Sequence, residues 1–297
     1  MRFLFTKYLA LVIGAILVLI TLFFIFFQKK EEIPTPMMKE EIAVETSPKE
    51  TLIGKSVEGR PIKAYSYGSG KTKLLFVGGM HGGYEWNSVL LAHLFMDYLK
   101  DTPSSIPVGL LVEVIPSLNP DGLFMVTGKE GRFDIKDVST STKVLEGARF
   151  NANKVDLNRN FDCMWQPKST WRKEAVSAGT KAFSEPEAVA LRDYILDQKP
   201  RAVIFWHSQA NAVYASQCDN GILPVTLNIM NAYATASKYH AVEIFNSYEI
   251  TGDAGDWLSK IGIPAITVEL QTHETIEWER NLAGIKALFL YFSQNNN

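Results

Sequence analysis

Three short apolar runs, each followed closely by a polar residue capable of chemistry, constrain this sequence most. Leu74-Leu75-Phe76-Val77 runs into Gly78-Gly79-Met80-His81-Gly82-Gly83-Tyr84-Glu85. Ala202-Val203-Ile204-Phe205-Trp206 delivers His207, and Ile263-Pro264-Ala265-Ile266-Thr267-Val268 ends on Glu269. Continuously apolar runs this short fit strands buried on both faces. Helical periodicity lies between and after them. Leu91, Phe95 and Leu99 recur every four residues within 87–99, and 225–237 is helix-like. Trp278, Leu282, Ile285, Phe289 and Phe292 step by four and three in a closing amphipathic helix. Strands alternating with helices predict an α/β fold: a three-layer sandwich with a central mixed, mostly parallel twisted sheet flanked by helices. In open α/β sheets the ligand crevice lies at the carboxyl ends of the strands. His81, His207 and Glu269 are therefore expected to converge there. His and Glu supply nitrogen and oxygen ligands of the kind zinc accepts.

The first 50 residues read differently. Residues 8–27 are 20 residues without a charge, and at about 1.5 Å per residue they match the roughly 30 Å core of a bilayer. The following Gln28-Lys29-Lys30-Glu31-Glu32 offers no small-x-small cleavage site, which favours an uncleaved anchor over a signal peptide. Basic residues flank both ends, so charge alone does not orient the helix. Residues 29–50, rich in Lys, Glu, Pro, Thr and Ser, read as a flexible linker. The expected organisation is a transmembrane anchor over 1–28, the linker over 29–50 and a catalytic domain over 51–297.

Within the domain, Ile53-Gly54-Lys55-Ser56 and Gly59-Arg60-Pro61 punctuate a first hairpin, and strands are expected over 62–67, 73–77 and 110–115. Residues 116–122, with Asn119-Pro120 and Asp121-Gly122, read as a turn, and 123–160 as irregular chain. Ser184-Glu185-Pro186-Glu187 reads as a helix start with Ser184 as N-cap, followed by a buried stripe of Ala188, Leu191 and Ile195. The formal net charge of −2 lacks the basic footprint of a nucleic-acid binder. Cys163 and Cys218 are either two separate buried thiols or one disulfide, and a disulfide requires an oxidising compartment. Nothing in the sequence sets an oligomeric state.

Taken in order, these segments resemble the M14 family of zinc carboxypeptidases, the funnelins, over roughly residues 51–295. The motifs are Gly54-Lys55-Ser56-x-x-Gly59-Arg60-Pro61, Gly79-x-His81 with Glu85, and Asn119-Pro120-Asp121-Gly122. Then come Arg149-x-Asn151-Ala152-Asn153-x-x-Asp156-Leu157-Asn158-Arg159-Asn160-Phe161, Ser184-Glu185-Pro186-Glu187, His207-Ser208, Tyr248 with Asp256-Trp257, and Val268-Glu269-Leu270. The resemblance implies that His81, Glu85 and His207 ligate one zinc ion per chain, with a fourth position left to water whose pKa the metal lowers to about 7. One spacing departs from the family. Its first two ligands stand as His-x-x-Glu, whereas three residues separate His81 from Glu85 and Tyr84 occupies the expected Glu position. Gly82 and Gly83 give the loop freedom to absorb the extra residue.

The resemblance further implies Glu269 as general base and Arg149 as the stabiliser of the tetrahedral oxyanion. Asn158 and Arg159 would clamp a terminal carboxylate, a task suited to arginine's planar fork. Asp156 would orient His81, Tyr248 would cap the substrate, and Gly255 would floor the specificity pocket, with Asp253 placed for a basic or diamino side chain. His273 has no partner legible in the sequence. The segments around Cys163 and Cys218 resemble a bacterial branch in which the two cysteines pair, implying a disulfide and a single-pass membrane protein with its catalytic domain outside the cytoplasm. The implied activity is hydrolysis of the C-terminal peptide bond of peptides or peptidoglycan-derived stem peptides bearing a free C-terminal carboxylate. An amidase or deacylase of the same fold is the first rival. A catalytically inactive tethered peptide-binding module is the second, favoured by the extra residue between His81 and Glu85 and opposed by the presence of Glu269 and Arg149.

Overall fold

The computed structural model describes residues 2–27, 48–219 and 221–295. Met1–Val44 and Glu45–Asn297 form separate units. In the first, helix α1 (Arg2–Phe27) has 26 residues. Side chains 12–23, the continuous run described on it, are exposed. Among the described residues no helix is long and apolar enough to cross a membrane. The linker expected over 29–50 lies mostly outside the described residues.

The first strand of the second unit begins at Lys49. Strands β1 (Lys49–Lys55) and β2 (Pro61–Gly68) form the expected antiparallel hairpin. Strand β3 (Thr72–Val77), helix α2 (Trp86–Asp101), strand β4 (Leu110–Ile115) and helices α3 (Pro120–Thr127) and α4 (Thr142–Gly147) follow. A small hairpin, β5 (Lys168–Trp171) with β6 (Glu174–Ser177), precedes helix α5 (Pro186–Gln198) and strands β7 (Ala202–Ser208) and β8 (Ala212–Ala215). After the short ribbon β9 (Gln217–Cys218) and β10 (Gly221–Ile222) come helix α6 (Pro224–Ser237), strand β11 (His240–Val242) and helix α7 (Ala254–Lys260). Strand β12 (Ala265–Leu270) and helix α8 (Trp278–Gln294) complete the unit.

One mixed sheet has the order β1-β2-β4-β3-β7-β12-β8-β11. Its centre, β4-β3-β7-β12, is parallel, and antiparallel pairing enters at β1–β2, β2–β4 and β8–β12. The central strands are buried on both faces because alternate side chains point to opposite sides. Leu74, Phe76, Ile204 and Trp206 enter a core with Phe95 of α2, Tyr233 of α6 and Phe289 of α8. Leu75, Val77, Val203 and Phe205 enter the opposite core with Leu191 of α5 and Leu258 of α7. Helices thus cover both faces, and the carboxyl ends of β3, β7 and β12 share one edge.

Three local expectations are corrected. Residues 116–122 do not merely turn. Asn119 caps α3, its Oδ1 accepting from Gly122 N at 2.9 Å, with Pro120 in the first turn and Gly128 closing the helix at φ +63°. Asn-Pro here starts a helix because proline's missing N–H costs nothing in the first turn. The stretch 123–160 is likewise not wholly irregular, since it holds most of α3 and all of α4. The N-cap of α5 is Glu185, not Ser184. Asn160 Oδ1 takes the Glu185 N–H at 3.0 Å, and Ser184 Oγ donates to Glu185 Oε1 at 2.8 Å. The stripe of Ala188, Leu191 and Ile195 is fully buried.

Cys163 and Cys218 form a disulfide across a sequence separation of 55 residues. It ties the chain after Arg159 to β9 beside the crevice. Closing a loop of this length removes denatured-state entropy worth about 4 kcal/mol at 25 °C. The double variant Cys163→Ser/Cys218→Ser is expected to lose about that much stability in urea denaturation, and a loss below about 1 kcal/mol would refute a stabilising role for this bond.

Candidate active site

The strand edge and a glycine-rich loop assemble the site. β3 ends at Val77, and Gly79 turns the chain at φ +61°, where a Cβ would meet Ser117 Cα at 2.9 Å. His81 follows, and Gly82–Glu85 forms one 3₁₀ turn beginning with Gly82 at φ +48°. A Cβ on Gly82 would lie 2.8 Å from Ala148 O, so this turn needs glycine for both conformation and room. The turn places Glu85 Oε1 2.8 Å from His81 Nδ1. His207, near the end of β7, brings its Nδ1 to 3.1 Å from His81 Nδ1 and 2.9 Å from Glu85 Oε2. Ligand atoms of all three buried residues lie within 4.8 Å of one another.

The donor chemistry fits a metal ion. His81 lies between two carboxylates, Glu85 Oε1 at Nδ1 and Asp156 Oδ1 at Nε2, 3.2 Å away, and with a metal ion on Nδ1 the ring proton would sit on Nε2 and be accepted by Asp156. Buried Glu85 Oε2 makes no aligned hydrogen bond despite its closeness to His207. Two imidazole nitrogens and one carboxylate form a set that zinc takes with a position to spare. Burial opposes the Glu85 charge, yet His81 and His207 hold its carboxyl well below the usual range. Burial likewise opposes the His207 charge, and Glu85 overrides it and raises that pKa.

Asp156 is fully buried and also accepts from Arg149 Nε at 3.0 Å and Nη2 at 2.8 Å. Against the cost of burial, Arg149, Arg159 and His81 hold its carboxyl well below the usual range. Arg149 Nη1 remains 3.8 Å from Glu85 Oε1. Glu269 pairs in register with His207 on adjacent parallel strands, which puts both side chains on one face. Its Oε2 is buried and unpartnered. Burial and the neighbouring Glu85 push the Glu269 carboxyl up to about 7.

These groups line a cavity of about 660 Å³ with Asn158, Arg159, Tyr248, Asp253 and Asp256. Arg159 is 2% exposed. Its Nε and Nη2 donate to Thr170 O at 3.3 and 3.0 Å, and its Nη1 to Asn158 O at 2.7 Å. Asn158 Nδ2 donates to Asp253 Oδ2 at 2.7 Å. Asp253 caps α7 through the Asp256 N–H, and Gln217 N donates to Asp256 Oδ1 at 2.9 Å. Burial and Asp253 push the Asp256 carboxyl up to about 8. Gly255 leaves room for a hydroxyl: a Cβ there would meet Ser216 Oγ at 2.3 Å. Tyr248 stacks edge-on against Phe245, ring centroids 4.9 Å apart.

Two groups in this cavity escaped the sequence reading of the site. Asn87 Nδ2 donates to Thr272 O and Thr275 O, which fixes Asn87 Oδ1 as acceptor of the Ser208 hydroxyl at 3.0 Å. Ser208 Oγ, 2.7 Å from His273 Nδ1, therefore accepts from it. His273 is thereby held as the Nδ1–H tautomer, with burial lowering its pKa. Its ring lies 4.6 Å from that of Tyr84. The second group is the β5–β6 hairpin, which brings Trp171 and Arg172 to the cavity. Arg172 sits in its turn at φ +57° without the glycine or asparagine that signals such a turn.

A raised Glu269 pKa has a consequence for the metal-stripped protein. Its stabilising contribution is complete below the ordinary value near 4.5 and is lost as pH rises to about 7. Relative to wild type, Glu269→Gln is expected to gain about 2–3 kcal/mol in urea denaturation between pH 4.5 and 7.5. A pH-independent difference would exclude the upward shift.

Known proteins are similar to this chain in sequence and in fold. Residues 49–285 match the zinc carboxypeptidase family. The chain is 25% identical over 242 residues to γ-D-glutamyl-L-diamino acid endopeptidase 1 of Lysinibacillus sphaericus, covering 74% of this chain and 60% of that protein. It is 26% identical over 238 residues to murein peptide amidase A of Vibrio campbellii, covering 74% of this chain and 78% of the amidase. The fold is similar to that of the murein-tripeptide amidase of Escherichia coli O157, with a TM-score of 0.60 and 24% identity over 82% of this chain and 92% of that one. It is also similar to that of thrombin-activatable fibrinolysis inhibitor, with a TM-score of 0.66 and 18% identity over 85% of this chain and 71% of that one. The match to the family spans most of the sequence and contains the whole triad, and this chain belongs to the zinc carboxypeptidase family of metallopeptidase hydrolases.

Proposed function

We propose that this chain holds one zinc ion and hydrolyses the C-terminal peptide bond of short peptides, cell-wall stem peptides included. The convergence of His81, Glu85 and His207 beside an unpartnered Glu269 carries this reading. When bound, zinc supplies Lewis-acid activation of water and of the scissile carbonyl. Glu269 takes a proton from the attacking water and passes it to the leaving nitrogen. Arg149, fixed to Asp156 through Nε and Nη2, presents Nη1 to the developing oxyanion. Arg159 retains one N–H on each terminal nitrogen beyond those given to Thr170 O and Asn158 O. With the free amide hydrogen of Asn158 these form the clamp for a terminal carboxylate. Tyr248 closes over the bound peptide.

The acidic pair of Asp253 and Asp256 favours an amino group on the leaving residue. Two relatives are named for a γ-D-glutamyl-L-diamino acid and for a murein peptide, and an ammonium-bearing leaving residue agrees with both. An amidase acting on such a peptide is the second reading, favoured by the same pair. An α-carboxamide analogue separates the two, because only the carboxypeptidase requires the free carboxylate.

Full-length protein is expected to bind about one zinc per chain and to release C-terminal residues from a peptide panel in a chelator-sensitive reaction. Glu269→Gln is expected to lower kcat by about 10²–10⁴-fold while zinc content is retained. Stoichiometric zinc with no hydrolysis anywhere on the panel would defeat the peptidase reading in favour of a binding module.

We further propose that residues 8–27 anchor the protein, with the catalytic unit outside the cytoplasm. The uncharged run and a disulfide that persists only in an oxidising compartment support this. The full chain is expected to stay with membranes through alkaline carbonate washing. Release into the wash would rule out a spanning anchor.

A further inference from the structure

We propose that Asn87 is a positioning residue: by bridging the residue after His207 and the loop after Glu269, it holds the metal ligands and the general base at one spacing. This rests on the peptidase reading above and deepens it. Asn87 is the second residue of α2, just beyond Glu85, and is fully buried. Both of its Nδ2 hydrogens go to carbonyls of the loop after β12, Thr272 O at 2.7 Å and Thr275 O at 2.9 Å. Its Oδ1 takes the hydroxyl of Ser208 at 3.0 Å, and Ser208 directly follows His207 on β7. That hydroxyl in turn receives His273 Nδ1–H, 2.7 Å away, from the same loop as Thr272 and Thr275. One chain of side chains therefore joins the segments that follow Glu85, His207 and Glu269.

The chain of bonds sits where the sheet stops. Glu269 pairs with His207, and Leu270 with Ser208 in the last rung between β12 and β7. Ends of elements are where local opening costs least, so side chains beyond that rung decide how firmly it is held. The loop past it is folded on itself. Thr272 Oγ1 takes the N–H groups of Glu274 and Thr275, each at 3.1 Å, and Asn281 of α8 holds the far end through Ile276 O at 2.9 Å. Asn87 holds the near end. The Asn87–Ser208 bond also runs between the same two elements as the contact of Glu85 Oε2 with His207 Nδ1 at 2.9 Å. Asp156 secures a different part of the site, His81 and Arg149. The Asn87 chain secures the elements that carry the other two ligands and the base. An apolar residue in place of Asn87 would deprive the Ser208 hydroxyl and two loop carbonyls of these partners, and buried polar groups lose stability when left unpaired.

The test measures zinc affinity of the full-length protein by competition with a chelator, alongside kcat and KM on the peptide of the panel cleaved fastest. Ser208→Ala and Asn87→Leu are each expected to weaken zinc binding by about 10-fold or more, the scale seen when supports of metal ligands are lost. Each is expected to lower kcat by about 10²-fold, the cost of a misplaced reacting group, with KM little changed. Ser208→Thr keeps the hydroxyl and is expected to restore both quantities. The double variant is expected to lose no more than the worse single one, because both substitutions break the same chain of bonds. Ser208→Ala removes a single oxygen and carries the test should Asn87→Leu fail to fold. Unchanged zinc affinity and kcat in Ser208→Ala, additive losses in the double variant, or an equal loss in Ser208→Thr overturns the proposal. Zinc binding weakened in these variants of a protein that hydrolyses no peptide would leave the positioning role standing and defeat the peptidase reading.

Discussion

Asp156 is the constraint on which the site depends. One fully buried carboxylate faces His81 Nε2, grips Arg149 through two donors and receives the backbone N–H of Asn158. His81 of the candidate metal triad, Arg149 and Asn158 are therefore referenced to a single side chain. Such a group is tolerated in the interior only because every partner is present. Removing one partner of a buried pair leaves a charge unmatched, at a cost of about 3–5 kcal/mol. Asp156 precedes a short 3₁₀ turn at Leu157–Arg159, so the register of that turn decides which residues face the triad. The sheet supplies the other half of the frame. His207 and Glu269 are neighbours across a parallel ladder, and their separation is set by strand spacing rather than by loops.

Charge is distributed around this centre in opposite senses. Burial and the neighbouring Asp253 push the Asp256 carboxyl up to about 8. Trp171 and Arg172 create the reverse condition beside Tyr84, a cation stacked on an aromatic wall. A single cavity thus carries an acidic and a basic cluster, and reversing a zwitterionic ligand in it would set like charges against each other.

The strands that carry the site were legible in the sequence because continuous apolar runs have few alternatives. Leu74 to Val77 and Ala202 to Trp206 are buried on both faces, and their composition states this directly. The segments that failed were governed by side chain–backbone competition. Asn119-Pro120 signals either a turn or a helix start, and the Gly122 N–H donating to the Asn119 Oδ1 cap decides between them. Ser184 lost the N-cap of α5 because Asn160, 25 residues away, claimed the next backbone N–H. His273 was unreadable for a related reason: its tautomer is set by Ser208 and Asn87, which lie 65 and more residues away in the chain. The β5–β6 hairpin lacked the usual turn residues, with Arg172 standing where glycine or asparagine would have announced it.

The departure in ligand spacing and the aromatic wall are one feature. Three residues between His81 and Glu85 require a tighter path, and Gly82 supplies it with positive φ and no Cβ. The 3₁₀ turn then carries Glu85 back to the triad and leaves Tyr84 buried at the cavity edge. Its hydroxyl takes Arg172, and its ring contacts Trp171 and His273. The extra residue that at first counts against a working metal site instead leaves the triad converged and places Tyr84 in the cavity wall. The glycines preserve the triad and the tyrosine defines what lies beside it. Spacing alone therefore does not decide between a competent site and a vestigial one. What decides is whether the loop backbone is free to absorb the extra residue, and Gly82 and Gly83, each packed too closely for a Cβ, show that this loop is shaped around that task.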